Sequence, residues 1–174
     1  RSILEDLGVR IERLNLALSS PKLRDLTVIH GDLHPGNLLY DGDSVSAFLD
    51  FDYAAPGMAI RDIGDCLLFV AGSRQSDFDP DDIWSLAQPC RIEKANALAF
   101  LQGYISVRPI PRDWLDLPVV LSSRWIQIRV RGSRKVSREE KVRFLLRDLE
   151  STLDYLSGEL PAILADIVAS LSTS

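Results

Sequence analysis

The chain has 174 residues, 46% of them hydrophobic, which is enough for one globular domain with a core of its own. Its formal net charge of -5 gives no general reason to expect a nucleic-acid partner, whose footprint is a basic excess. Cys66 and Cys90 stand in dissimilar contexts with no CxxC pair and no histidine nearby, which does not fit a zinc site. Two reduced, buried thiols in a cytoplasmic protein are expected.

The chain opens at Arg1 directly in a helical pattern, without a charged and apolar leader, and reads as a piece of something longer. Ile3, Leu4, Leu7, Ile11, Leu14 and Leu18 recur at three- and four-residue spacing on one helix face, and Pro21 ends that helix. Thr27 to Ile29 and Leu38 to Tyr40 are short apolar strands, and the turn Asp41-Gly42-Asp43 leads into a third strand, Val45 to Leu49. Beyond Pro56 and Gly57 the pattern turns helical, with Asp62 as N-cap and Gly72 as stop. Asp79 or Asp81 opens a helix toward Tyr104 that Pro89 kinks or breaks.

Pro109, Pro111 and Pro118 mark a loop and the entry to a helix through Ile128, and Gly132 to Lys135 reads as a mobile surface connection. Ser137 with Glu140 is a capping-box start for a helix through Leu156, and a last helix begins near Pro161. There is no internal repeat, and the longest apolar runs, such as Cys66 to Ala71, fall far short of the roughly 20 residues needed to cross a bilayer, so no membrane partner is expected. One α+β, mainly helical domain over residues 1–174 is predicted.

Phosphoryl transfer to an alcohol needs an oriented hydroxyl, a carboxylate to direct its proton, and hard oxygen ligands for Mg²⁺ on the phosphates. Protein kinases supply these from a catalytic loop, H-R-D-x-x-x-x-N, and from the Asp of D-F-G. Here the run from His30 to Asn37 is HGDLHPGN, with Asp32 and Asn37 at the same separation of five and Gly31 in place of the Arg. The strand Val45 to Leu49 then delivers Asp50-Phe51 where the metal-binding Asp-Phe is expected, with Asp52 in place of the Gly.

On these residues the stretch from Val28 to about Phe69 resembles the aminoglycoside phosphotransferase and choline kinase-like family of small-molecule kinases. It matches the family's HGDxHxxN loop, its apolar-Asp-aromatic metal motif, and the further Asp that opens the next helix. The resemblance implies a protein kinase-like C-terminal lobe with a few short β-strands around the catalytic and metal loops. It implies Asp32 as catalytic base, Asn37 and Asp50 as ligands of Mg²⁺ and hence of the bound ATP or other NTP, and Asp62 as the residue bracing the catalytic loop through its backbone.

His30 is read as structural, packing under Phe51 and fixing the loop through a backbone hydrogen bond. His34 sits where many protein kinases have a phosphate-contacting Lys, so it either faces the transferred phosphate or supports the loop. Asp52 is placed near a second metal, with a solvent-facing role as its alternative. Asp32 as a plain turn former and Asp62 as an ordinary N-cap are the bland readings.

The N-terminal lobe of such a kinase, with its phosphate-pairing strand Lys and orienting Glu, is not visible: Lys22, Lys94, Lys135 and Lys141 fit no strand ahead of the loop. The chain is therefore expected to be a C-terminal lobe that partners its own N-terminal lobe, takes a small hydroxylated substrate, and alone binds nucleotide poorly and does not turn over. Asp77, Asp79, Asp81 and Asp82 read as a solvated loop, with attraction of a cationic amine substrate as the alternative; Trp84, Trp114 and Trp125 as core, with a substrate pocket as the alternative; and the basic stretch Arg124 to Arg147 as a solvated face, with an anionic partner or another subunit as the alternative.

Three rival classes fit less well. A metallohydrolase is disfavoured because His30 and His34 are the only histidines, too few for a dinuclear centre. A protein kinase is disfavoured because no A-P-E segment follows Asp50. A catalytically silent kinase-fold protein is opposed by intact Asp32, Asn37 and Asp50.

Overall fold

Short antiparallel strands frame the loops of the first half, and helices make up the second. The computed structural model describes residues 3–19, 26–74, 79 and 81–171. Helix α1 (Ile3–Ser19) lies against the later helices, and Arg10 Nη2 donates to Asp154 Oδ1 at 2.6 Å. Pro21, Lys22 and Asp77 lie outside the described residues.

Strand β1 (Leu26–Ile29) pairs antiparallel not with its sequence neighbour but with β4 (Ala55–Met58), in the register Leu26 to Met58 and Ile29 to Ala55. Between them, β2 (Leu38–Asp41) and β3 (Ser44–Phe48) form a hairpin around Gly42 and Asp43, with a register shift between Leu39 and Tyr40. The pairing of β1 with β4 therefore closes a loop that carries both acidic motifs.

Helix α2 (Ala59–Phe69) follows β4 without a linker. Its N-cap is Met58 rather than the expected Asp62, which falls in the first turn, because the chain turns helical as soon as the β4 pairing ends. The helix also stops before Gly72, which instead pairs with Ile92 as β5 (Gly72–Ser73) meets β6 (Arg91–Ile92). The long helix expected from Asp79 to Tyr104 is divided by this pairing. A 3-10 turn at Ile83–Ala87, capped by Asp82 accepting from the Trp84 N–H, is followed by Pro89, β6 and α3 (Lys94–Ile105).

Helix α4 (Leu117–Gly132) carries Pro118 in its first turn, where a missing N–H costs nothing. The Ser137 capping box is replaced by a direct bond from Ser137 Oγ to the Glu140 carboxylate at 2.9 Å, and Glu140 is the N-cap of α5 (Lys141–Leu146). Asp148, at φ +52°, separates α5 from α6 (Leu149–Gly158), and α7 (Leu160–Leu171) completes the fold. Of the expected surface connection from Gly132 to Lys135, Gly132 is the last residue of α4 and is buried against the Phe144 ring, while Arg134 and Lys135 are exposed.

The core sits where α2, α4, α6 and α7 meet. Ile60, Ile63, Leu67 and Leu68 of α2 face Leu117, Leu121 and Trp125 of α4, with Leu156, Leu160 and Ile167 behind them. Each fully buried aliphatic side chain contributes about 1.5–3 kcal/mol. Gly64 permits the close approach, since a Cβ there would lie 2.8 Å from Leu121 Cδ2. This α2–α4 contact matters for the site, because both helices send charged side chains out of it toward the HGD loop. Among the described residues, no helix is long and apolar enough to cross a membrane.

Candidate active site

His30 leaves β1 with its ring buried, Nε2 at 2.8 Å from the Leu49 carbonyl oxygen and its centroid 4.8 Å from that of Phe51. Gly31 then turns the chain at φ +81°, a conformation that L side chains resist, and a Cβ there would lie 2.6 Å from the Tyr53 carbonyl oxygen. The turn is held from α2. The Asp62 carboxylate accepts from the His30 N–H at 2.7 Å and from the Gly31 N–H at 2.9 Å, while Arg61 Nη2 donates to the Gly31 carbonyl at 3.1 Å.

Asp32 follows, a quarter exposed at its side chain. Its Oδ1 accepts from Arg124 Nη2 at 2.8 Å, and its backbone carbonyl accepts from Asn37 Nδ2 at 2.9 Å. His34 Nδ1 accepts from the Gly36 N–H at 3.1 Å, capping the 3-10 turn Pro35–Asn37, so in the neutral ring the proton resides on Nε2. That Nε2 is 3.8 Å from Asp32 Oδ2, too long for a hydrogen bond. Burial lowers the His34 pKa while the Asp32 charge pulls the other way, and the net direction favours the neutral ring.

The second acidic motif is tied to the first through Leu49. Its N–H donates to the Asn37 carbonyl at 2.9 Å and its carbonyl meets His30. Asp50 comes next in the left-handed region at φ +57°, with its exposed carboxylate accepting a long 3.4 Å bond from the Asp52 N–H. Asp52 is also exposed. The structure thus bonds Asp62 to His30 and Gly31, bonds Asn37 to Asp32, and brings Asp50 to the same end of the hairpin. Among the described residues, neither Asp50 nor Asp52 bonds to Asp32 or Asn37.

The donor chemistry fits a hard divalent cation. Asn37 spends its amide nitrogen on Asp32 and keeps a carbonyl-type oxygen, and Asp50 offers a carboxylate engaged only by the long bond from Asp52 among the described residues. Among those residues, no three His, Cys, Asp or Glu side chains converge as a metal nest. A Mg²⁺ held here would draw on Asn37, on Asp50 and on phosphate oxygens, the pattern usual for that ion.

Three residues of this site do not declare themselves in the sequence: Arg61, Asp65 and Arg124. Arg124 is expected on a solvated basic face. It is instead buried, with Nε 2.7 Å from Oδ1 of the fully buried Asp65. Burial pushes the Asp65 carboxyl up to about 6 against the pull of Arg124, so the pair is ionised at neutral pH. Burial also works against the Arg124 charge, but its bonds to Asp65 and Asp32 outweigh that and raise its pKa. A signal was present. Arg124 falls within the apolar stripe Val120, Leu121, Trp125, Ile128, whereas Asp65 lies beside the stripe Ile60, Ile63, Leu67, Leu68, next to Leu68. A charge on a buried face implies a partner.

Other sequence candidates lie elsewhere. Trp114 and Trp125 are core, and Trp84 stacks edge-on to Phe144 with Arg143 and Arg147 over its ring. Arg129 is buried, with its guanidinium over Trp125 and Phe144. Asp79 and Asp82 accept from nearby backbone N–H groups.

A turn that presents one oriented carboxylate beside an amide, followed by a hairpin ending in a second carboxylate, is compatible with phosphoryl transfer. Residues 1–104 match the phosphotransferase enzyme family, and the chain belongs to that family. Among curated proteins it is similar to homoserine kinase of Brucella abortus (strain S19), 30% identical over 95 residues that make up 55% of this chain and 25% of that protein. Homoserine kinase of Brucella ovis is 32% identical over 94 residues, 53% of this chain and 24% of the relative. The match thus spans about a quarter of these relatives' length. No solved structure matches the chain.

Proposed function

We propose that the chain is the catalytic C-terminal lobe of a cytoplasmic small-molecule kinase that transfers the γ-phosphoryl group of ATP, or another NTP, to a hydroxyl. The observation that carries this reading is the Asp32 carboxylate. One of its oxygens is held by Arg124, and the other lies 3.8 Å from His34 Nε2, beyond hydrogen-bond reach. In the reaction Asp32 accepts the hydroxyl proton as the substrate oxygen bonds to the γ-phosphorus and the bond to the β-phosphate bridging oxygen breaks, releasing the nucleoside diphosphate. Bound Mg²⁺ supplies charge neutralisation on the phosphates, and Asn37 and Asp50, with Asp52 as a further carboxylate nearby, are the residues that hold it. His34, neutral and facing Asp32, supports the loop or meets the transferred phosphate.

Exposed apolar residues on the strands support the reading of a partner lobe. Val28 is 77% exposed and Phe51 59%, with Leu26, Tyr40 and Phe48 also open, an apolar surface suited to an ATP-gripping N-terminal lobe. Homoserine is the first substrate to test, because the relatives bear that name, ahead of aminoglycosides and choline-like alcohols. Neither nucleic acid nor membrane belongs in this reading. The test is Mg²⁺-dependent ADP release by the full-length protein across these alcohols, with Asp32→Asn alongside. Release that depends on one alcohol and is lost in Asp32→Asn is expected. An unchanged rate in Asp32→Asn removes Asp32 as base.

A further inference from the structure

We infer that Arg124 is a positioning residue for Asp32, and that Asp65 in turn holds Arg124. This inference rests on the phosphotransfer reading given above. Arg124 comes from α4, 92 residues after Asp32, and the two meet at 2.8 Å through Arg124 Nη2 and Asp32 Oδ1. The same nitrogen lies 3.4 Å from the Gly31 carbonyl, and Nε meets Asp65 Oδ1 at 2.7 Å. The Asp65 side chain is completely buried and that of Arg124 is 4% exposed.

Three consequences of this geometry point beyond packing. A carboxylate on a turn rotates freely, and pinning one oxygen leaves a single oxygen in a fixed direction before any hydroxyl arrives, which removes an entropic cost from the reaction. The guanidinium is also shared between two carboxylates, Nε on Asp65 and Nη2 on Asp32, so the buried Asp65 fixes the orientation of the group that holds Asp32. The planar fork is needed for that sharing. An ammonium is a point charge on a flexible stem and cannot present separate, fixed N–H groups to Asp65 and Asp32 at once.

The pair is also a poor choice for stability alone, since a buried ion pair is often no better than apolar side chains of the same volume. What it adds is direction. A second donor of the fork points at the one carboxylate in the loop that the chemistry uses, not at another core group.

The experiment is steady-state kinetics on the full-length protein carrying Arg124→Gln, Arg124→Lys, Asp65→Asn or Asp32→Asn. Nucleotide affinity is followed by displacement of a fluorescent ATP analogue, and folding by thermal midpoint. Arg124→Gln is expected to lower kcat about 100-fold, the scale of an ångström-level misplacement, with nucleotide affinity and KM for ATP within about threefold. Arg124→Lys is expected to lose about tenfold, and Asp65→Asn to move kcat in the same direction. A folded Arg124→Gln protein whose kcat stays within about threefold of the parent overturns the inference, as does an equal loss of nucleotide affinity. If Arg124→Gln does not fold, parental kcat in Arg124→Lys overturns it. An inactive Asp32→Asn beside fully active Arg124 variants ends the positioning role and leaves phosphotransfer standing. A fully active Asp32→Asn ends both.

Discussion

Asp62 holds Gly31 across the β1–α2 corner, its carboxylate oxygen 2.9 Å from the Gly31 N–H while the other oxygen takes the His30 N–H at 2.7 Å. A helix side chain therefore fixes two consecutive peptide groups of the loop that carries Asp32. Hydrogen bonds to a charged acceptor contribute about 1.5–3 kcal/mol each, and the loss falls on part-buried N–H groups. Asp62→Ala should destabilise the protein by about 3–6 kcal/mol in urea unfolding, and Asp62→Asn, which keeps one acceptor, by less. A loss under about 1 kcal/mol would show that the loop holds itself.

Gly31 itself is a sharper probe of the turn. Its φ is +81°, and a β-carbon added there would come within 2.6 Å of the Tyr53 carbonyl oxygen. No relaxed place for a side chain exists, because the obstructing atom is backbone. Gly31→Ala should cost about 2–3 kcal/mol. Gly103→Ala, inside α3 with open space around it, should instead stabilise by about 0.5–1 kcal/mol. Thermal midpoints moving in opposite directions are the expected result, and a shift of the same sign for both would contradict it.

Asp65 gives stability a pH dependence with a definite sign. Its carboxyl titrates near 6 in the fold against 3.8 when unperturbed, so the folded state binds the proton more tightly. Well below pH 4 both states are protonated and the group is neutral to stability. Between about pH 4 and 6 the unfolded chain releases its proton first, so the fold loses stability as pH rises, and above about 6 the full penalty, on the order of 3 kcal/mol, is present. Asp65→Asn lacks this slope. Between pH 4 and pH 7 the urea midpoint should therefore fall more for the parent than for Asp65→Asn, and parallel slopes would refute the assignment.

The two thiols should be inert. Burial pushes the Cys66 thiol up to about 12 and raises Cys90 as well, with Cys90 donating to the Leu68 carbonyl at 3.2 Å. At pH 8 the Cys66 thiolate fraction is then about 10⁻⁴. Ellman's reagent should label neither cysteine at a measurable rate in the folded protein and both at once in guanidinium. Rapid labelling of the native protein would place a thiolate where none is expected.

Much of the fold could be read in the sequence because its signals are local. The strand at Thr27 to Ile29, the hairpin around Gly42 and the helix entry at Pro118 follow from runs and turn residues within a few positions of one another. The errors come from long-range pairing. Asp62 has the side chain of an N-cap, yet β4 pairs with β1 through Met58 and the helix starts earlier than its local signal. The helix expected from Asp79 is cut because Ser73 pairs with Arg91, well along the chain. The candidate site divides in the same way. Its contiguous members, from His30 to Asn37 and Asp50 to Asp52, declare themselves as a motif, whereas Asp65 and Arg124 enter only through helix packing. The charge of Arg124 within the apolar stripe of α4 was the one clue.

The clamp on Asp32 also has a temporal side. The family match ends at residue 104, but the guanidinium that fixes the Asp32 carboxylate arrives with Arg124, on a helix that docks through Gly64 and Leu121. A chain emerging from the ribosome carries the whole HGDLHPGN loop long before it carries α4. Until that helix seats, the Arg124 guanidinium is not there to hold the Asp32 carboxylate, so the clamp is completed together with the α2–α4 core.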